Sequence, residues 1–331
     1  SDVCSSDLFL LLHRRRHYNP AEGVWMGWER KRGKLHELNR LLRGATDTHF
    51  MAEEGQAPCV PPDVRYVITL DADTHLPRDV AQKLIGKMAH PLNQPRWDAG
   101  NTWLVSGYAI LQPRVTMALP MGREGSPYQR IFSGQGGIDP YAAAVSDVYQ
   151  DLFGEGSYTG KGIYDVDAFE QALHGRIPEN TLLSHDLFEG ACARAGLASD
   201  VELVEAPPAR YDVIARRQHR WTRGDWQLLP WLVGNGPAGA ETPDGRGGLD
   251  AVGRWKMTDN LRRSLVSPAL LLALAAGWTL PAAAAWLVTL SLLATLLLTS
   301  IVPPWWEALL RSRRPALSAA DNRSEERRVG K

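Results

Sequence analysis

The 331 residues of this chain are enough for one large domain or two, and the formal net charge is zero. Without an excess of basic residues, the chain is not expected to bind nucleic acid. Its three cysteines, Cys4, Cys59 and Cys192, have neither the spacing of a zinc site nor that of a disulfide framework, which indicates a reducing compartment.

The two ends of the chain differ in composition from the residues beside them. We expect residues 1–7 and 323–331 to be non-native, because SDVCSSD and RSEERRVGK resemble translated sequencing-adapter sequence. They are therefore excluded from the fold prediction. Since there is no initiator Met and no signal peptide, the remainder is expected to be an internal piece of a longer protein.

Residues 8–259 are predicted to form one α/β domain. Apolar periodicity predicts helices over 25–44, 78–89, 142–152, 168–173 and 187–195. Runs rich in β-branched residues predict a strand over 64–70, one or two over 103–115, and another over 199–205. Strands that alternate with helices predict a doubly wound α/β sheet.

A stretch of 43 residues without a charge runs from Ser264 to Trp306. Because about 20 apolar residues span a bilayer, we predict two transmembrane helices, 264–280 and 282–302, with a turn between Gly277 and Pro281. A buried hairpin of a soluble protein and a single kinked span are the alternatives.

Arginines and lysines flank this stretch on both sides, which predicts that both flanks lie in the cytoplasm. The predicted organisation is then a membrane region over 260–306 and a basic cytoplasmic segment over 307–322. Membrane lipid would be a partner of the chain.

Two carboxylates follow the apolar strand VRYVITL directly. Asp71 and Asp73 are two positions apart, so their side chains can project to the same side. Ligands of open α/β sheets bind beyond the carboxyl ends of the strands, and paired carboxylates suit a hard cation such as Mg²⁺ or Mn²⁺ that would hold a diphosphate. The alternative is a pair of ordinary turn caps.

A later carboxylate and a basic segment complete the set of candidate residues. Asp186 stands before an apolar helix, where a helix N-cap provided by Ser184 or Asp186 is the alternative interpretation. Gln218, Arg220 and Trp221 form a Gln-x-x-Arg-Trp motif, for which the alternative is an amphipathic helix at a membrane interface.

The order of these features resembles that of the processive inverting glycosyltransferases, the superfamily of cellulose, chitin and hyaluronan synthases. That resemblance implies a GT-A type nucleotide-sugar-binding domain, in which Asp71 and Asp73 bind the cation and the diphosphate. It implies that Asp186 is the general base. One departure is visible, since His185 stands where that superfamily usually has Glu.

The same resemblance assigns the remaining candidates. Gln218 and Trp221 would bind the acceptor, and Arg220 the diphosphate. Lys34 matches a Lys-x-x-x-Leu-Asn element near the donor in related synthases, and a solvated surface charge is the alternative. From the residues themselves, the glycine-rich strand region Gly160–Gly162 is a place where the chain could approach the acceptor closely, which makes Lys161 a candidate for acceptor binding, with a bare structural turn as the alternative.

Four long segments are similar to the glycosyltransferase domain of cyclic β-1,2-glucan synthases: GVWMGWERKRGKLHELNRLLRG, YVITLDADTHLPRDVAQKLIGKMAHPLNQPR, IFSGQGGIDPYAAAVSDVYQDLFGEGSYTGKGIYDVDAF and RYDVIARRQHRWTRGDWQLLPWL. This resemblance implies UDP-glucose as donor and a growing β-1,2-glucan, started on a protein-linked primer, as acceptor. It also implies further domains in the full-length chain, at the bacterial inner membrane, with the catalytic domain in the cytoplasm.

An α-linked donor and a β-linked product require a single in-line displacement, with Asp186 taking the proton of the attacking hydroxyl. Three other interpretations stay open: a related β-glycan synthase or lipid-linked sugar transferase with another linkage, a non-catalytic subunit that binds a sugar nucleotide, and a transporter. We also expect the GT-A domain to be N-terminally incomplete, because no strand for the nucleotide base precedes the first helix.

Overall fold

The computed structural model describes residues 9–51, 60–118, 126, 128–129, 148–182, 186–234, 236–237, 239–240 and 249–313, the part from 299 to 313 by its backbone alone. The chain divides into two compact units, Ser1–Leu261 and Arg262–Lys331. The terminal segments that we expect to be non-native, 1–7 and 323–331, lie outside the described residues, as does most of the segment 307–322.

A mixed five-stranded sheet is the framework of the first unit. Its strands, in spatial order, are β3 (Tyr66–Thr69), β8 (Gly162–Asp165), β7 (Ile110–Met117), β9 (Ala195–Glu205) and β4 (Thr74–His75). Only β7 and β9 run parallel among these neighbours, and the other three pairs are antiparallel. The α/β class predicted from the sequence is confirmed, and the sheet is mixed, whereas doubly wound folds typically have a mostly parallel sheet.

Two small antiparallel ribbons lie outside this sheet. One joins β1 (Arg16–Asn19) to β2 (Val24–Gly27), and the other joins β5 (Arg96–Trp97) to β6 (Leu104–Ser106). The first ribbon occupies residues that were predicted to begin a helix at Trp25. Gly23, with φ of +66°, lets the chain turn back at this point, and its amide donates to the Asn19 carbonyl at 2.8 Å.

The helices follow the strands along the chain. In the first unit they are α1 (Arg30–Leu42), α2 (Val80–Ala89), α3 (Val148–Phe153), α4 (Val166–Leu173), α5 (Asp186–Cys192), α6 (Tyr211–Gln227) and α7 (Leu229–Val233). Two longer helices follow, α8 (Ala251–Gly277) and α9 (Ala282–Arg313). The boundary between the two units falls within α8.

Helices cover both faces of the sheet because successive strand residues point to opposite sides. On β8, Ile163 packs with Leu84 and Met88 of α2, whereas Tyr164 packs with Phe169 of α4, and all five are almost fully buried. Burial of each such side chain contributes roughly 1.5–3 kcal/mol. This two-sided packing fixes the ends of β3, β8 and β9 relative to one another.

The prediction of two transmembrane helices, over 264–280 and 282–302, is wrong. No helix among the residues described with their side chains combines the length and the apolarity that a membrane crossing requires. The uncharged part of α8 begins after Arg263 and ends at Gly277, which is shorter than the about 20 residues that a bilayer core needs.

Candidate active site

The candidate site lies where β3 and β9 end. Asp71 and Asp73 follow β3, and a turn closed by the Thr74 amide on the Asp71 carbonyl at 3.0 Å leads into β4. There Thr74 pairs with Glu205, the last residue of β9. The predicted pair of carboxylates is thus joined by a third carboxylate from a neighbouring strand.

Two lysines hold the Asp71 carboxylate. The Lys31 ammonium lies 2.6 Å from Oδ1 and the Lys161 ammonium 3.3 Å from Oδ2. Partial burial raises the pKa of Asp71, but the hydrogen bond and charge of Lys31, together with Lys161, outweigh burial and leave the pKa lowered. Asp71 therefore carries its charge throughout the neutral range.

The centre of the site is a buried ion pair between Lys161 and Glu205. Its atoms are 2.9 Å apart, and the two side chains are 4% and 2% exposed. Burial raises the pKa of the Glu205 carboxyl, an effect that the hydrogen bond from Lys161 offsets only in part. Arg217 of α6 contacts the same carboxylate at 3.4 Å and reaches Asp73 Oδ2 at 3.0 Å.

Cations and carboxylates therefore alternate along one connected chain of contacts: Lys31, Asp71, Lys161, Glu205, Arg217 and Asp73. We call these six residues the charge chain. Their formal charges cancel, and the two middle members are the most buried. The outer members are partly exposed, so they are the ones that an incoming charged ligand can reach.

A divalent cation at this place would depend on a bound diphosphate for most of its ligands. Within the described part of the chain, no group of three or more His, Cys, Asp and Glu side chains is arranged to hold a metal ion. Asp71 has both oxygens on lysines, whereas Asp73 is 34% exposed and contacts Arg217 through Oδ2. Mg²⁺ commonly takes one or two carboxylates plus substrate phosphates, so Asp73 is the better candidate ligand.

Asp186, the candidate base, lies beside this charge chain at the start of α5. Its carboxylate packs against Gly160, whose carbonyl oxygen accepts a hydrogen bond from Lys31 at 2.6 Å. Ser184 and His185, which bear on the N-cap alternative and on the departure from the superfamily, lie outside the described residues. Asp186 and Asp71 are far apart in sequence, but two residues connect them in the structure. Asp186 packs against Gly160, and Lys31 contacts both the Gly160 carbonyl and Asp71.

The motif on α6 is only partly directed at the charge chain. Gln218 and Arg220 are exposed, and Trp221 is half-buried with the Arg217 guanidinium 5.6 Å from its ring centre. Arg217, not Arg220, contacts Asp73. The predicted acceptor and diphosphate roles of Gln218, Arg220 and Trp221 remain predictions.

Of the two lysines that were predicted to belong to the site, Lys161 lies in it and Lys34 does not. Lys161 is a member of the charge chain, where its side chain is almost fully buried. Lys34 is exposed on α1, while Lys31, one turn earlier, makes the contact with Asp71. The predicted donor role of Lys34 is better matched by Lys31.

Sequence reasoning overlooked three residues of this site, Lys31, Glu205 and Arg217, and named Gly160 only as a possible close approach to the acceptor. Glu205 had a usable signal, since it ends an apolar strand just as Asp71 follows one. Lys31 and Arg217 are each one of several basic residues in a run, and sequence alone does not show which one points inward. Gly160 carries no chemistry of its own, and only the fold reveals its place.

The charges of this arrangement suit a diphosphate group, and Asp186 suits a nearby hydroxyl. Carboxylate and cation groups at the rim can hold a metal-bound diphosphate. Asp186, on the other side of Gly160, can accept a proton from a hydroxyl that reaches it. The geometry suits a displacement at a carbon atom that lies between the diphosphate and the hydroxyl next to Asp186.

Comparison with known proteins agrees with that chemistry. No family model matches the chain. The chain is 58% identical over 270 residues, 82% of its length, to a protein named cyclic beta-(1,2)-glucan synthase NdvB from Rhizobium meliloti (strain 1021). The matched part spans 9% of that protein. Over these residues the chain is therefore a relative of the cyclic β-(1,2)-glucan synthases, which confirms the family resemblance of its motifs.

Proposed function

We propose that this chain is the glycosyltransferase segment of a cyclic β-1,2-glucan synthase, which transfers glucose from UDP-glucose to a growing β-1,2-glucan. The observation that carries the proposal is that Lys31 and Gly160 connect the first DxD carboxylate, Asp71, to Asp186. The 58% identity to a protein named as such a synthase supports the same activity and does not favour the alternatives. A protein-linked glucan would serve as the first acceptor, and other domains of the longer chain would be partners.

The chemistry follows from the inversion at the anomeric carbon. The acceptor hydroxyl forms the new bond to that carbon as the bond to the diphosphate oxygen breaks, and the hydroxyl proton passes to Asp186. Lys31 and Arg217 hold the carboxylates in place and offer positive charge to the leaving diphosphate. A bound Mg²⁺ or Mn²⁺ at Asp73 would supply further charge neutralisation. Because the proposed donor is a cytosolic metabolite, the reaction would take place in the cytoplasm.

The test is transfer of labelled glucose from UDP-glucose by the full-length protein, followed by linkage analysis of the product. We expect β-1,2 linkages, and UDP-glucose should be used in preference to UDP-galactose. Excess EDTA should abolish both transfer and donor binding, and added Mg²⁺ or Mn²⁺ should restore them. Donor binding without turnover would favour a non-catalytic subunit, and another linkage would favour a related synthase. Binding that is unchanged in EDTA would contradict the proposed cation.

A further inference from the structure

Gly160 lies between the two halves of the site and contacts both through different atoms. On the donor side, its carbonyl oxygen accepts hydrogen bonds from the Lys31 ammonium at 2.6 Å and the Thr69 hydroxyl at 3.3 Å. The same Lys31 ammonium holds Asp71 at 2.6 Å. The main chain at Gly160 is therefore fixed by the group that also fixes the first DxD carboxylate.

On the acceptor side, the absence of a side chain at Gly160 leaves room for the Asp186 carboxylate. A methyl group on the Gly160 α-carbon would lie 2.7 and 2.8 Å from the two carboxylate oxygens and 2.9 Å from the carbon between them. These distances are too short for a carbon next to oxygen or carbon, so the carboxylate can occupy its position only because this residue has no side chain. Gly160 also has φ of +80°, a conformation that glycine adopts without strain.

We propose that Gly160 is a positioning residue that sets the distance between the Asp186 carboxylate and the donor carboxylates. The inference rests on the proposed function and extends it to a residue that has no side chain to bind a substrate. Gly160 acts through Asp186 on one side and through Lys31 on the other. Displacement of a catalytic group by about 1 Å can lower a rate by about 10²-fold, so a single methyl group at this point is expected to matter.

The matched control is Gly44, at the end of α1. It also has a positive φ, +88°, but no atom would lie within 4 Å of an added methyl group. Gly160→Ala and Gly44→Ala therefore impose the same kind of backbone strain, and only Gly160→Ala displaces Asp186. In the full-length protein we expect Gly160→Ala to lower kcat by about 10- to 100-fold, with KM for UDP-glucose changed less than about threefold. Gly44→Ala should leave both close to wild type.

Two double variants, in which Gly160→Ala is combined with a change at Asp186, distinguish a positioning role from a general loss of structure. In an Asp186→Asn background, Gly160→Ala should lower kcat by less than about twofold, because the base is already absent. In an Asp186→Ala background, the carboxylate is gone, so the loss of Tm caused by Gly160→Ala should shrink to the loss caused by Gly44→Ala. Undiminished losses in both backgrounds, or a normal kcat for Gly160→Ala, would overturn the proposal. A wild-type protein that transfers no glucose would instead refute the proposed function, while the Tm comparison would still test the Gly160–Asp186 contact.

Discussion

Asp186 is the residue on which the proposed chemistry depends most. Asp186→Asn keeps the size of the side chain but removes its proton affinity, so turnover should fall by about 10²-fold or more. Donor binding should stay nearly intact, because Asp186 contacts Gly160, whereas the DxD carboxylates contact Lys31, Lys161 and Arg217. Asp73→Asn is the matched comparison and should weaken donor binding as well. Turnover by pre-steady-state mixing and UDP-glucose binding by calorimetry would measure both.

If Asp186→Asn kept near-wild-type turnover, the assignment of the base would be wrong. His185 would then be tested next, because a neutral imidazole can accept a proton at physiological pH.

Glu37 of α1 provides a prediction about pH. Its carboxylate is almost fully buried, 2.9 Å from the Arg14 guanidinium, and it accepts the His49 amide at 2.8 Å. Burial raises the pKa of Glu37, but the hydrogen bonds from Arg14 and His49 outweigh burial, so the pKa lies below its ordinary value of 4.5. A carboxyl whose pKa is lowered by folding stabilises the fold fully above its ordinary pKa and loses that contribution as pH falls through the native value.

Glu37→Gln should therefore lower the free energy of unfolding by about 2 kcal/mol at pH 7, and the difference from wild type should shrink at pH 3. Urea unfolding at the two pH values measures this change. Asp47→Asn, at an exposed ion pair with Arg40, is the control and should have little effect at either pH. A difference between Glu37→Gln and wild type that is equal at pH 7 and pH 3 would count against the ionic explanation.

At the scale of single residues, the sequence predicted the chemistry better than the contacts. The carboxylates Asp71, Asp73 and Asp186 were found because a strand end or a motif marks each of them. The cations that hold them were missed or misplaced by one helical turn, as Lys34 was chosen where Lys31 makes the contact. Which lysine of a basic run points inward depends on where the helix begins, and this start is set by tertiary structure.

The start of α1 is an example of such tertiary control. Glu29 and Arg30, just before and at the first residue of the helix, both have a positive φ, 49° and 52°, which is uncommon for residues with side chains. The buried Glu29 carboxylate contacts Arg32 at 2.6 Å and accepts a hydrogen bond from the Asn180 amide. These contacts hold a strained turn immediately before Lys31, and strain of this kind is often stored at functional sites.

Helix α6 carries two arginines that differ in their contacts, and this difference leads to a prediction. Arg217 contacts Asp73 and the buried Glu205, whereas Arg220 is exposed on the same helix. Arg217→Gln should lower the free energy of unfolding by about 1–2 kcal/mol, because Glu205 loses one of its two cationic partners. It should also weaken UDP-glucose binding by roughly tenfold, which is about 1.4 kcal/mol.

Arg220→Gln is the matched variant one turn away. It should leave unfolding unchanged within about 0.5 kcal/mol, as is usual for surface positions, and weaken donor binding if Arg220 holds the diphosphate as its motif implies. Chemical denaturation and UDP-glucose titration of the two variants give both readouts. A loss of stability for Arg220→Gln and none for Arg217→Gln would contradict the contacts described for α6.

At the scale of the whole molecule, apolar periodicity predicted the class of fold but not the direction of its strands. The residues of β3, β7 and β9 were recognised because they are apolar and β-branched, a property that parallel and antiparallel strands share. The first ribbon was missed because Trp25 and its neighbours fit a helix as well as a short hairpin. The membrane helices were predicted from the absence of charge alone, and the described helices fall short of the required apolar length.

The buried pair at the centre of the charge chain has a consequence for how this protein can change over evolutionary time. Replacing only Lys161 or only Glu205 leaves the other charge buried with its more distant counterion, Arg217 or Asp71, at a cost of up to about 3–5 kcal/mol. Replacing both with apolar residues of similar volume is often neutral for stability. Lineages that descend from a common ancestor should therefore keep this pair or lose it as a unit, and any lineage with one member alone should carry a further counterion in addition to Asp71 and Arg217.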